Sequence, residues 1–585
     1  MSASSSFATP RTRLAAAVAA LVVVSACSSV NRQAPPVEAS ATLPLPEQDA
    51  AVLPPPPPAA AAPAYEAMQS RVAEQRAGMA MAKARPLMMP PPQPMQPEAR
   101  EQYGKLDANP VQRVAEVPVS TFSVDVDTGS YANVRRFLRD GQLPPRDAVR
   151  AEELINYLDY GYATPRDRDT PFGVITEIGP TPWNARTHLL HIGIQGWMPQ
   201  GERPASNLVF LVDVSGSMQS DDKLPLVQSS LKLLTAKLRR QDRISIVTYS
   251  GDTRVALEPT SGDQRERIVA AIDALSAGGG TNGGAGLELA YSMARQGYIE
   301  GGVNRVLMAT DGDFNVGTTS FDALLERVEQ QRKSGIALTT LGYGTGNYNE
   351  QLMERVADAG DGNYAYIDSL AEAQKVLVRE AEATLTTIAR DVKIQIEFNP
   401  AQVAEYRLIG YENRQLRRED FANDKVDAGD IGAGHRVTAL YEIALVGEGG
   451  ERVEPLRYGS AAAAAVAKNG ELAHLRLRYK RPGDGLAASS RLIERALTRQ
   501  GIETNLAATS TAFRLSAAVA GFGQLLRGSE YLQAFDYTGV ESLARAARGR
   551  DDNGEVGEFL QLVQLARGLT PTVGSRDADT STHGG

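Results

Sequence analysis

Six short apolar runs recur between residues 206 and 390: NLVFLVDV, RISIVTYS, TRVALEP, NRVLMATD, IALTTLGYG and GNYAYID. Unbroken runs of this length suit strands that are covered on both faces. Between them lie stretches such as KLPLVQSSLKLLTAKLRR and SFDALLERVEQQRKSG, whose apolar residues fall at helical spacing. Strand and helix in alternation predict an α/β fold with a doubly wound, mostly parallel sheet. In such sheets, ligands bind beyond the carboxyl ends of the strands.

The strand ends carry the chemistry. The first run finishes in Asp213-Val214-Ser215-Gly216-Ser217, and the fourth ends on Asp311. Carboxylates and hydroxyls are hard oxygen donors that suit a small divalent cation such as Mg²⁺ or Mn²⁺. Alternate residues on a loop can face one ion, so Ser215 and Ser217 share it while Val214 turns away. Together with Thr281 of GGGTNGG, these residues match the metal-ion-dependent adhesion site of von Willebrand factor type A domains, in order and in kind of loop. The flanks TFSVDVDTGSYANVRRFLRDG and EYRLIGYENRQLRRED resemble those of YfbK-like bacterial lipoproteins. The resemblance implies a metal held by Asp213, Ser215, Ser217, Thr281 and Asp311, with Asp311 acting through water. It also implies a protein partner that donates an Asp or Glu to the ion, in an adhesion or scaffolding role. Integrin β subunits place an Asp pair after the same motif, but Asp221 and Asp222 fall one residue later. They read instead as first-turn acids of a helix starting near Lys223.

Other readings are weighed against this one. Helix capping by Ser215 and Ser217 leaves Thr281 and Asp311 unexplained. Asp127-Thr128-Gly129-Ser130 spells the motif of pepsin-like aspartic peptidases, which need a second carboxylate sharing a proton. No second such motif occurs in the sequence, and Asp127 or Thr128 is expected to cap a helix. An accessory subunit of a chelatase-type AAA+ ATPase assembly is a further alternative. The chain lacks the G-x-x-x-x-G-K-[ST] loop of a nucleotide-binding motor, so no nucleotide is expected. The five histidines, at 188, 191, 435, 474 and 583, all lie outside the α/β segment. Without such a base, Ser215 and Ser217 read as ligands and not nucleophiles, and no enzyme is expected. His188 and His191 read as ordinary strand residues. A net charge of −9 argues against nucleic acid.

The remaining segments set the organisation. Cys27 is the single cysteine; Arg11, Arg13 and LAAAVAALVVV precede it, ending in Val24-Ser25-Ala26. This resembles a lipoprotein signal peptide over residues 1–26 with its lipobox, and Ser28 implies sorting to the outer membrane of the cell envelope. Residues 27–117, with VLPPPPPAAAAPA and MMPPPQPMQP, read as a disordered proline- and alanine-rich tether of roughly 50 Å. Residues 118–205 read as two helices followed by strands, 391–488 as β-rich, 489–570 as helical and 571–585 as a disordered tail. The strands at 172–197 are too few to bury a face alone. The α/β domain is therefore expected to sit inserted in, or flanked by, a β-sandwich, with helical segments at both ends.

Overall fold

The computed structural model describes residues 101–166, 169–199, 201–312, 320–456, 470–484 and 488–571. Cys27, the leader, the prolines before residue 101 and the tail from 572 lie outside the described residues.

Among the described residues, four strands precede the α/β segment: β1 (Gln112–Arg113), β2 (Val119–Ser123), β3 (Phe172–Thr181) and β4 (Asn184–Gly196). The segment itself holds β5 (Ser206–Asp213), β6 (Arg243–Tyr249), β7 (Thr253–Ser261), β8 (Val303–Thr310), β9 (Ala337–Tyr343) and β10 (Tyr364–Ile367). They form one sheet in the order β10-β9-β8-β5-β6-β7, parallel except for β6–β7. All of β5 is buried, because both faces are covered. Leu208, Phe210 and Val212 pack with Val227 and Leu231 of the helix Leu224–Thr235. Val209 and Leu211 pack on the other face with Leu287 of the helix Gly283–Gln296. This period of two is what the unbroken apolar run encodes. The chain leaves β5 for β6 on one side and later reaches β8 on the other, so the loops after β5 and β8 diverge at a topological switch.

After the segment come β11 (Thr387–Phe398), β12 (Val403–Ile409), β13 (Ile431–Gly432), β14 (Arg436–Leu445), β15 (Glu471–Lys480) and β16 (Arg491–Thr498). One antiparallel sheet runs β1-β12-β14-β4-β3. In the other, β11 pairs with β15 on one side and with β2 and β13 on the opposite side. The α/β domain is thus inserted in a β-sandwich whose halves lie on either side of it in the chain. Leu190 of β4 sits opposite Tyr441 of β14. Ile192, Ile194, Ile394, Ile396 and Ile443 fill the space between the sheets. Helices Thr511–Arg527, Tyr537–Ala546 and Glu555–Leu569 cover the outer face of the first sheet. There Phe513, Val519 and Phe522 pack with Leu189 and Leu440, while Leu525 lies at the margin.

Three boundaries differ from the sequence expectation. Ordered chain begins before residue 118. Gln102 N–H donates to Tyr348 O, Asn109 donates to Gly410 O at 2.7 Å, and β1 pairs with β12. These are single anchors without a period, so no pattern announces them. Residues 491–498 form the edge strand β16 and not helix, with Arg478 opposite Leu492 across the ladder. Asp221 and Asp222 lie in a turn before the helix, whose first turn carries no acid.

Candidate metal centre

The five residues read from the sequence lie on three loops at the carboxyl edge of the sheet. Asp213 closes β5 and is fully buried; Ser215 N–H donates to its Oδ1 at 2.9 Å. Ser215 Oγ and Ser217 Oγ lie 3.1 Å apart, with Ser217 exposed. The loop carrying half-buried Thr281 is tied to this turn, because Gly278 N–H donates to Val214 O and Gly216 N–H to Gly279 O. Asp311 follows β8 and is fully buried. Four of the five residues read from the sequence thus stand on neighbouring strand ends, and Thr281 stands on the loop bonded to them.

Three participants had no sequence signal. Thr310 Oγ1 donates to Asp213 Oδ2 at 3.1 Å, and fully buried Tyr249 interacts with the same carboxylate. Lys223 Nζ donates to Asp311 Oδ2 at 2.9 Å and to Asn347 Oδ1 at 3.1 Å. Only its place ten residues after Asp213 could have drawn attention to it. Burial pushes the Asp213 carboxyl up to about 6, with Asp311 adding repulsion and the Ser215 hydrogen bonds pulling the other way. The donor set is oxygen throughout, two carboxylates and neutral hydroxyls facing one crevice, and it fits a hard divalent cation. Asp213, Ser215, Ser217, Thr281 and Asp311 are the residues that would hold it.

The peptidase-like stretch lies elsewhere. Thr128 is the N-cap residue of the helix Gly129–Arg139, but no side chain caps it. Asp127 Oδ1 instead accepts from Tyr364 N–H, and Ser130 N–H in the first turn donates to Glu153 Oε2. Gly129 is required by contact, since a Cβ there would lie 2.3 Å from the Tyr364 ring. Asp127 belongs to a buried seam. Arg414 meets Asp125, Asp127, Glu354 and Asp358, while Arg150 meets Glu153, Glu350 and Glu354. Glu152 is fully buried, and neither of its oxygens finds a hydrogen-bond partner among the described residues. Burial, then the charge of Glu412, pushes its carboxyl up to about 8. Burial pushes Glu350 up to about 7. His191 is a core residue bonded to the Tyr162 hydroxyl at 2.7 Å, and burial lowers its ring to about 4.

Family models match three stretches of the chain. One described as von Willebrand factor covers 97–191, the von Willebrand factor type A domain covers 207–379, and the C-terminal region of uncharacterized protein YfbK covers 383–569. Uncharacterized protein YfbK of Escherichia coli (strain K12) is 50% identical over 513 residues, 86% of this chain and 87% of that protein. Inter-alpha-trypsin inhibitor heavy chain H3 of Homo sapiens is 29% identical over 178 residues, 29% of this chain and 20% of its own. Among solved structures, von Willebrand factor type A from Catenulispora acidiphila is 16% identical. That match covers 68% of this chain and 89% of the other, at a TM-score of 0.38.

Proposed function

The chain belongs to the YfbK family of von Willebrand factor type A proteins, and we propose that its crevice captures an acidic side chain of a protein partner through Mg²⁺ or Mn²⁺. The type A domain is a protein-interaction module at the level of its family. A bound divalent ion supplies an open coordination position for a partner Asp or Glu. Asp213 anchors the site from a buried strand end, with its orientation set by Ser215 N–H and Thr310 Oγ1. Ser215 and Ser217 present neutral hydroxyls, so they add donors without cancelling the ion's charge. Thr281 serves from the adjoining loop, and Asp311 through water. The observation that carries this reading is the convergence of two hydroxyls, 3.1 Å apart, on the strand end that holds Asp213. No histidine stands among these groups, and we read the role as adhesion or scaffolding and not catalysis. We further propose that acyl chains on Cys27 hold the body at the outer membrane; more than one chain makes such anchoring stable.

Calorimetric titration of the full chain with Mg²⁺ and Mn²⁺ tests the reading. Binding of one or both at millimolar concentration or below is expected, and Asp213→Ala is expected to abolish it. If the wild-type chain binds neither ion, the adhesion-site reading is wrong. If it binds one, the partner is sought by capture from envelope extracts with and without EDTA.

A further inference from the structure

The ligand set of the motif contains no cation, yet a lysine stands inside it. Lys223 is buried, and its ammonium lies 2.9 Å from Asp311 Oδ2 and 3.1 Å from Asn347 Oδ1. Its stem reaches that point past Gly344, just beyond β9. A Cβ at Gly344 would lie 2.2 Å from Lys223 Cγ and 2.6 Å from Cε, and Gly344 holds φ at +73°. Glycine adopts that conformation without strain, and here it also leaves room for the lysine. Segments following β5, β8 and β9 therefore converge on one nitrogen, which cannot swing away without leaving both acceptors.

We propose that Lys223 is a positioning residue for the metal: fixed on Asp311, its charge weakens the hold of the crevice on a divalent cation and leaves the loaded crevice net positive toward an acidic partner. The inference rests on the metal-dependent reading above and deepens it. Asp213 and Asp311 alone would neutralise a divalent ion, leaving little attraction for a carboxylate. An ammonium held at Asp311 offsets part of that negative charge. Because it is shielded from water, its effect on a nearby ion is larger than that of a surface lysine. Ion affinity is traded for partner affinity.

The test compares Mg²⁺ binding by the wild-type full chain with Lys223→Met, in which an apolar stem still fills the groove beside Gly344. About tenfold tighter binding is expected for the variant. Its thermal unfolding without the ion should shift to lower temperature, because buried Asp311 loses its ion pair. A merely structural lysine would move both readouts in the same direction, toward weaker binding and lower stability. Lys223→Gln, which keeps a hydrogen bond to Asp311 without the charge, gives the same comparison should the methionine variant fail to fold. If the wild type binds Mg²⁺ and the neutral variants bind it equally or more weakly, the inference is overturned while the metal reading stands. If the wild type binds neither Mg²⁺ nor Mn²⁺, both fall together.

Discussion

The crevice and the buried seam both gather carboxylates, but they surround them differently. At the crevice, Asp213 and Asp311 stand on strand ends among hydroxyls, with Ser217 open to solvent. At the seam, Asp125, Asp127, Glu153, Glu350 and Glu354 surround Arg150 and Arg414, closed in by the helix Glu350–Ala359 and the chain around 411–415. Negative charge left over at an open strand end is available to a cation from solution. Burial lifts Asp213 to about 6 as well, but the same excess sealed inside the body has no such visitor and is pushed higher. That is why burial lifts Glu152 to about 8 and Glu350 to about 7. On the proposed reading, access and neutral donors distinguish a metal site from surplus carboxylate alone.

The comparison can be broken most forcefully at Arg414. Arg414→Met removes the partner of several buried acids at once, and a loss of about 3–5 kcal/mol is expected in urea unfolding. Mg²⁺ affinity should be unchanged, because the acids that Arg414 meets are none of the five residues assigned to the ion. A fall in Mg²⁺ affinity would show the two regions to be coupled.

Glu152 sharpens the contrast through pH. Its folded carboxyl titrates near 8 against an ordinary value of 4.5, so between those values the folded chain holds a proton that the unfolded chain has lost. Stability from this group is complete below about 4.5 and falls as pH rises toward about 8. Glu152→Gln is therefore expected to stabilise the protein by about 1–2 kcal/mol at alkaline pH and to flatten the slope. Unfolding curves at roughly pH 5 and pH 8.5 would decide it. A variant that is less stable at the higher pH would mean that the carboxylate is charged and paired after all.

The smallest effect belongs to Ser217. Because it is exposed, Ser217→Ala should leave unfolding untouched while raising the Mg²⁺ dissociation constant about fivefold, or ~1 kcal/mol. Unchanged affinity would remove this hydroxyl from the ligand set.

How much of this was legible in the sequence depends on distance along the chain. Asp213, Ser215 and Ser217 sit within five residues, and Asp311 closes an apolar run, so strand ends and motif announced each other. The alternation of runs and amphipathic stretches likewise revealed the sheet. The seam was hidden because Arg414 meets Asp125 across 289 residues and Arg150 meets Glu354 across 204. A lone arginine carries no sign of such partners. Lys223 was hidden differently. It stands near Asp213 in sequence, but its bond is to Asp311, 88 residues on. Residues 101–117 were missed since Asn109 and Gln102 act one at a time, and β16 because Leu492, Ile493, Ala496 and Leu497 also suit a helix.

The splitting of the sandwich around the α/β domain governs the order in which the molecule can be made. β3 and β4 leave the ribosome well before β14, and Trp183 meets Glu442 across 259 residues. Until then the edge of β4 that will receive β14 has unpaired main-chain groups beside Leu190 and Ile192, a template for pairing with another chain. The α/β domain needs nothing beyond itself to complete its sheet, so it can fold first and shorten the effective loop between β4 and β14. Closure of the sandwich then comes late, with a small entropic cost remaining. Destabilising the inserted domain would lengthen that exposed interval, and aggregation during biogenesis would rise before any loss of the finished protein's stability became visible.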